Sequence, residues 1–465
     1  MAERFDLVVI GAGPAGEKGA AQAAYFGKRV AVIESAPEPG GAAVHTGTLP
    51  SKTLRETALY LSGYHARDLY GIAVALEPDA TIGRLMARKD AIARAESASI
   101  RANLDRHTIS YLNGRGRFVD PHTVLVEGRD GARRVEGDYF LIATGSAPRR
   151  PPEIDFADSH IHDSDEILTI EQLPGSLIVL GGGVIGCEYA CMFAALGVRV
   201  TLVDTRDQIL PFLDLELVAQ LRSAMQRLGI ELILGRRWSD IRRVSDRVAV
   251  QLDDGRALEA EQLLFAAGRE GRTAGLELSA IGVECDARGY VKVDQNYATR
   301  VPHVFAAGDV VGFPALASVS MEQGRVAVCH AFGFGYKRAV ADLMPYGIYT
   351  IPELSAVGET EESAREKGID FAVGRAHYRD NARGKITGDL EGITKIVVDA
   401  QSRRLLGVHV IGERATELVH VGQSVIQLRG TVDVFIDMVF NYPSLAESYK
   451  YAAYDCLGAL AKRSR

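Results

Sequence analysis

The chain has 465 residues, 47% apolar and 24% charged, with a formal net charge of −7. That length exceeds a single core and calls for about three or four domains, while the acidic balance and the lack of a long basic block exclude a nucleic-acid partner. No apolar run reaches the ~18 residues of a membrane helix and charges begin at Glu3 and Arg4, so neither a membrane span nor a secretion signal is expected and cytoplasm is the expected compartment.

From the N-terminus, the β-branched run Phe5 to Ile10 predicts a buried parallel strand and leads directly into Gly11-Ala12-Gly13-Pro14-Ala15-Gly16. An alanine-rich helix pattern follows. A second strand, RVAVIE, then ends at Glu34, eighteen residues after Gly16. Together these are the parts of a dinucleotide site. Gly11, Gly13 and Gly16 allow a tight turn and a close backbone approach to pyrophosphate, the helix start offers free N–H groups, and Glu34 can bind a ribose.

The pattern recurs 170 residues later. SLIVL leads into Gly181-Gly182-Gly183-Val184-Ile185-Gly186, a second helix, and RVTLVD ending at Asp204. Gly181, Gly183 and Gly186 repeat the glycine roles and Asp204 repeats that of Glu34, so the sequence predicts two dinucleotide sites. Each unit closes on a strand running into glycine, at Thr144-Gly145 in the first and at Gly268 in the second. The first unit carries an insertion of 47 residues between its acid and its closing glycine. Cys187 and Cys191, four apart on the second helix, read as buried small residues. None of the five cysteines forms a CxxC or has a histidine at metal-ligand spacing, so no metal site is expected.

The insertion opens with Gly40-Gly41-Ala42-Ala43-Val44-His45-Thr46-Gly47-Thr48-Leu49-Pro50-Ser51-Lys52. Two dinucleotide motifs, with GG…G…PSK after the first, resemble the flavoprotein pyridine nucleotide-disulfide reductases. The resemblance runs over essentially the whole chain, including YGIYTIPE at 346–353. It implies FAD at the first motif, with Gly41 and Lys52 in its site, and NAD(H) or NADP(H) at the second. It also implies that Lys52 pairs with Glu188 beside the reactive flavin nitrogen, that Asp309 holds the ribityl chain, and that the helix start at Leu316 and Ala317 faces the flavin ring. Where that family carries its two redox cysteines this chain has Ala43 and Thr48, and neither can form a thiolate. Where the family has a histidine before proline, the chain reads Asn441-Tyr442-Pro443, and a tyrosine is poorly suited to shuttle protons at neutral pH. Losing both halves together makes the chain similar to the branch of that family that exchanges hydride between NADPH and NAD+ without a disulfide.

A long helix is predicted over 84–107, with strands through Phe118 and Val126. From about Met344, strands such as TKIVVDA and LLGVHVIG alternate with helices such as 413–429, an α+β pattern. The expected fold is thus α/β, with two Rossmann-like domains and a C-terminal α+β dimerisation domain. The expected boundaries are 1–150 for the first part of the FAD domain, 151–270 for the NAD(P) domain, 271–343 for the rest of the FAD domain and 344–465 for the interface domain. The resemblance implies a homodimer or larger homo-oligomer. With one fold unit taken by FAD, a single nicotinamide site remains, and the two nucleotides must take turns in a ping-pong scheme. Two alternatives stand beside transhydrogenation: an NAD(P)H:quinone or dye reductase, and a catalytically silent FAD-binding protein. Asp204 alone suits NAD(H) and repels a 2′-phosphate. Arg206, two residues on, either offsets that repulsion or points into solvent.

Overall fold

The computed structural model describes residues 3–63, 70–71, 78–129 and 131–463. The opening run forms the strand Glu3–Ile10, whose core positions Leu7, Val8 and Val9 are completely buried. It pairs in parallel with Val30–Glu34 on one side and Gly131–Ile142 on the other. A run buried on both faces has no need of polar alternation, which is why its sequence is continuously apolar. Thr123–Gly128 and Arg115–Asp120 extend the sheet antiparallel, and Ser110–Asn113 adds to the far edge beside Val30–Glu34. Much later in the chain Val304–Ala306 returns to the same sheet, parallel to Gly131–Ile142.

The helix Pro14–Tyr25 crosses this sheet against the helix Ala317–Ala331. The approach is close enough that a Cβ on Gly324 would stand 2.2 Å from the Ala15 carbonyl oxygen. The late helix is thereby locked beside the first glycine turn, and its own start is brought to the same place.

A second sheet, all parallel, follows the order Glu231–Leu234, Arg199–Asp204, Ser176–Leu180, Gln262–Phe265, Ile161–Asp163. Its helix Val184–Ala195 is buried around nearly its whole circumference, Cys187 and Cys191 included. A small antiparallel sheet, Trp238–Val244 with Arg247–Leu252 and Ala257–Ala260, packs on it. Where the chain enters and leaves this unit, Ser146–Pro148 pairs antiparallel with Arg269–Gly271.

The remaining strands, Tyr346–Ile348, Leu354–Gly358, Phe371–His377, Ile393–Asp399 and Leu405–Ile411, form one antiparallel sheet covered by the helices Ala415–Gln427 and Ser448–Arg463. Two predicted helices shift at their ends. The helix expected over 84–107 is Pro78–Arg106: its first turn accepts proline and carries no apolar stripe, so periodicity did not mark it. The helix expected over 413–429 is Ala415–Gln427, because Arg414 turns left-handed at φ 60° and stops it there.

Candidate functional site

A cleft of about 1250 Å3 runs through the junction of the three units. From the first unit it is lined by Gly11, Gly13, Glu34, Gly41, Lys52, Thr144, Gly145, Asp309, Leu316 and Ala317. The second contributes Val184, Ile185, Glu188 and Tyr189, and the C-terminal unit contributes Pro345, Gly347, Tyr349, Thr416, Val419 and His420.

The glycine turn is shaped by absences of side chain. A Cβ on Gly16 would lie 1.9 Å from the Gly11 carbonyl oxygen, and one on Gly41 would lie 2.9 Å from the Gly13 Cα. Gly13 caps the helix Pro14–Tyr25 without any side-chain bond, so the N–H groups of the first turn have no partner from a capping side chain. Buried Glu34 braces the turn: its Oε2 accepts from the Ala12 N–H at 2.7 Å, and its Oε1 accepts from the Ala36 N–H at 2.8 Å. A bare turn, a helix start and a braced acid fit the pyrophosphate and ribose of a dinucleotide.

Further along, the helix Thr48–Ser62 presents Lys52, whose Nζ lies 2.7 Å from Glu188 Oε2. Glu188 Oε1 accepts from the Tyr349 N–H at 2.9 Å, and the Lys52 ammonium stands 4.8 Å from the Tyr349 ring centre. These three residues tie all three units together at one point. Ala43 and Thr48 line the cleft nearby. Asp309 accepts from Ser146 at 3.2 Å and from Ser320 at 3.3 Å, and Arg269 donates to both the hydroxyl and the carbonyl of Ser146. Asp309 caps no long helix, since Leu316 is the cap of Ala317–Ala331. Thr144 Oγ1 is buried without a hydrogen-bond partner, a polar atom placed where a bound group would satisfy it.

The second glycine turn repeats the first. A Cβ on Gly186 would meet the Gly181 carbonyl oxygen at 1.8 Å, Gly183 caps the helix Val184–Ala195, and Gly268 has φ 116°. Gly181, Gly183, Gly186, Gly268, Asp204 and Arg206 are not among the residues lining the large cleft, which this unit reaches only through Val184, Ile185, Glu188 and Tyr189. Arg206 folds back on its neighbour, with its side chain 47% exposed. It closes on Asp204, and Asp204 Oδ2 also accepts from the Gly182 N–H at 2.5 Å. Burial pushes the Asp204 carboxyl up, but the Arg206 side chain and the N–H groups of Arg206 and Gly182 outweigh it and hold the carboxyl below its usual range. At the C-terminal end Tyr442 is 74% exposed.

Over residues 5–324 the sequence matches the family described as pyridine nucleotide-disulphide oxidoreductase, and over 344–453 it matches that family's dimerisation domain. The chain belongs to the pyridine nucleotide-disulphide oxidoreductase family. It is 45% identical over 460 residues to the soluble pyridine nucleotide transhydrogenase of Mycobacterium bovis strain BCG, covering 98% of each chain. It is 38% identical over 466 residues to that of Vibrio vulnificus, covering 99% of each. Among solved structures it is similar to LpdA of Mycobacterium tuberculosis, with a TM-score of 0.89 and 30% identity over 97% of this chain and 99% of the other. The redox pair that gives the family its name has no counterpart here: all five cysteines are free, and those on the cleft wall's helix, Cys187 and Cys191, are buried.

Several cleft residues carried no sequence signal. Tyr189 follows Glu188 inside a helix that is apolar all round, and Arg269 follows Gly268 without motif spacing. His420 lies on a C-terminal helix whose role in the cleft depends entirely on how the units meet.

Proposed function

We propose that this chain holds FAD along the cleft from Glu34 to Lys52, takes nicotinamide nucleotides at the second glycine turn, and exchanges hydride between NADPH and NAD+. The observation that carries this reading is the Lys52–Glu188 pair, 2.7 Å apart, joining the two dinucleotide units where Ala43 and Thr48 replace a thiol pair. Two relatives named soluble pyridine nucleotide transhydrogenase, at 45% and 38% identity over nearly the whole chain, support it. When bound, FAD supplies the centre that takes a hydride from one nicotinamide ring and returns it to another.

The chain's own residues bind and orient. Gly11, Gly13 and Gly16 with the free N–H groups of Pro14–Tyr25 receive the pyrophosphate, Gly41 keeps the opposite wall bare, and Glu34 takes the adenosine ribose. Thr144, Gly145 and Asp309 meet the middle of the cofactor, with Asp309 set by Ser146 and Ser320. Leu316 and Ala317 turn the positive end of a 15-residue helix toward the ring, favouring negative charge there. Lys52, fixed by Glu188, places a cation and a hydrogen-bond donor beside the reacting atoms. Gly181, Gly183, Gly186 and Gly268 shape the nucleotide turn, and Asp204 with Arg206 receives the adenosine ribose. One such turn serves both nucleotides, so they enter and leave in succession.

The proposal includes domain limits at 150, 270 and 343, supported by the return of Val304–Ala306 to the first sheet and the Ser146–Pro148 pairing with Arg269–Gly271. It also includes a cytoplasmic homodimer built on 344–465, where the dimerisation match lies. Stopped-flow reduction by NADPH followed by reoxidation with NAD+ tests the function. Rapid bleaching and return of the yellow absorbance are expected, and failure of NAD+ to restore it would defeat the reading.

A further inference from the structure

Away from the cleft, the first unit carries a second surface that hydride exchange does not use. The helices Pro14–Tyr25 and Ala317–Ala331 both start at the cleft and end side by side, about 20 Å away at 1.5 Å per residue. Where they end, Tyr25-Phe26 and Phe332-Gly333-Phe334-Gly335-Tyr336 bring their rings together. Phe26 is the centre of the group. Its ring stands 4.4 Å from Phe334, 5.5 Å from Tyr336 and 5.5 Å from Tyr25 between centroids. None of these residues lines the cleft.

The inner rings are structural and the outer ones are not. Phe332 and Phe334 pack against the core of the first unit. Tyr25, Phe26 and Tyr336 take no part in that core and are 73%, 44% and 57% exposed. Rings that served only to pack on one another would close the stack, whereas these leave a contiguous apolar face in water, the mark of a contact surface. Such exposure belongs to rings that protrude, which suits a flat partner rather than an inserted peptide.

The charge around the rings says what that partner is. Residues 25–29, 101–107 and 332–338 carry Lys28, Arg29, Arg101, Arg106, Lys337 and Arg338 against the single acid Asp105, in a chain of net charge −7. His107, whose ring is 6.5 Å from that of Tyr25, brings the end of the helix Pro78–Arg106 to the same face. Three of the six cations are neutralised: Arg29 by Glu3, Arg101 by Asp105 and Lys337 by Glu322. Lys28, Arg106 and Arg338 have no carboxylate partner among the described residues. The Lys28 ammonium lies 4.9 Å over the Phe332 ring, so cation and rings share one face. An apolar face rimmed by free cations repels the same face of a second copy, and the dimerisation match lies elsewhere, at 344–453. Protruding aromatic rings with Lys and Arg at their rim are the composition that seats at the headgroup level of an anionic bilayer.

We propose that this end of the first unit docks on the surface of an anionic phospholipid bilayer. Tyr25, Phe26 and Tyr336 enter the headgroup layer, and Lys28, Arg106 and Arg338 meet the lipid phosphates. The contact is peripheral, since no helix of the described residues is long and apolar enough to cross a membrane. With three free cations on one subunit it is weak and reversible. The cleft, at the other end of both helices, stays open to nucleotides, and the inference does not depend on which reaction it performs.

The test is co-sedimentation of the full-length protein with vesicles of phosphatidylglycerol and phosphatidylcholine in equal parts, and with phosphatidylcholine alone. Binding to the mixed vesicles and little to the neutral ones is expected, lost at about 1 M NaCl where screening leaves a range of only ~3 Å. Lys28→Ala with Arg338→Ala should lower the bound-to-free ratio about tenfold or more, each cation near an anionic surface counting for about fivefold. Tyr25→Ser with Tyr336→Ser should weaken binding and leave the remainder sensitive to salt. Circular-dichroism melting and gel filtration report the fold and assembly of each variant. Failure of the unmodified protein to bind mixed vesicles at low salt overturns the inference whatever the variants do, and so does equal binding to neutral vesicles or undiminished binding by the folded variants. An assembly that falls apart in the variants, with no vesicle binding by the unmodified protein, would give the face to a second copy instead.

Discussion

Arg206 closes on Asp204 in a two-point pair, with Nε 2.9 Å from Oδ1 and Nη2 2.8 Å from Oδ2. Glu34, at the matching place in the first unit, is braced by the N–H groups of Ala12 and Ala36 and, at 3.4 Å, by the Ser35 hydroxyl, with no cation on it. The consequence is a shared lock. A ribose diol needs the carboxylate that Arg206 covers, and a 2′-phosphate needs the guanidinium that Asp204 holds. Arg206 is 47% exposed along its side chain, so releasing it into water costs little. Arg206→Ala should therefore lower kcat/KM for NADPH by ~1–3 kcal/mol and leave that for NADH equal or better, while Asp204→Ala does the reverse. Equal losses for both nucleotides in Arg206→Ala would remove the dual-specificity argument.

Lys52 reaches the cleft as half of an ion pair whose other half has an 8% exposed side chain. Lys52→Ala removes the cation that the proposed function sets beside the reacting atoms but none of the contacts around Gly11 and Glu34. The protein should stay yellow, and its reduction by NADPH should slow about ten- to a hundredfold, the loss of one charge-assisted hydrogen bond. Loss of FAD together with rate would assign Lys52 to binding instead.

The parallel strands at the heart of the two nucleotide units were legible because period, glycine turn and terminal acid agree at each repeat, and because a strand buried on both faces shows as an unbroken apolar run. What escaped was whatever depends on two distant segments meeting. The side chains of Arg206 and Asp204 are two residues apart, yet their pairing competes with solvent and ligand and leaves no mark in spacing. The approach of Tyr349 to Lys52, and of His420 to the same cleft, follows from packing of the C-terminal sheet against the second unit, to which no local pattern points. Helix ends were displaced for a related reason: the first turn of Pro78–Arg106 carries no apolar face, and Arg414 stops its helix by a left-handed backbone that sequence alone does not announce.

Ala43 and Thr48 leave the cleft without sulfur, and burial raises the Cys187 and Cys191 thiols well away from thiolate formation. Anaerobic titration with dithionite should therefore take up two electrons per FAD with no long-wavelength band of thiolate-to-flavin charge transfer. Uptake of four would require a cysteine pair at the cleft, and none of the five cysteines lines it.

Lys395 is the buried counterpart of these surface-facing pairs, 1% exposed and surrounded by three carboxylates. Its Nζ is 2.8 Å from both oxygens of Asp214, 2.9 Å from Glu216 and 2.6 Å from Glu361, and Arg375 bridges the last two. Asp214 is fully buried and caps the helix Leu215–Arg227, so the cluster fastens the nucleotide unit to the C-terminal sheet. Such a pair need not add net stability, but removing one member strands the others in a poorly solvated site. Lys395→Met should cost ~3–5 kcal/mol in chemical denaturation. The pH dependence carries the same signature. Burial alone would raise the Glu216 carboxyl, yet Arg375 and Lys395 bring it from 4.5 down to about 2. Because its folded value is depressed, Glu216 contributes stability at pH above 4.5 and loses that contribution as the pH falls toward 2. The unmodified protein should weaken across that window, and Lys395→Met, already lacking the cation, should show a shallower slope there. Parallel slopes in the two proteins would mean that Lys395 does not set the Glu216 titration.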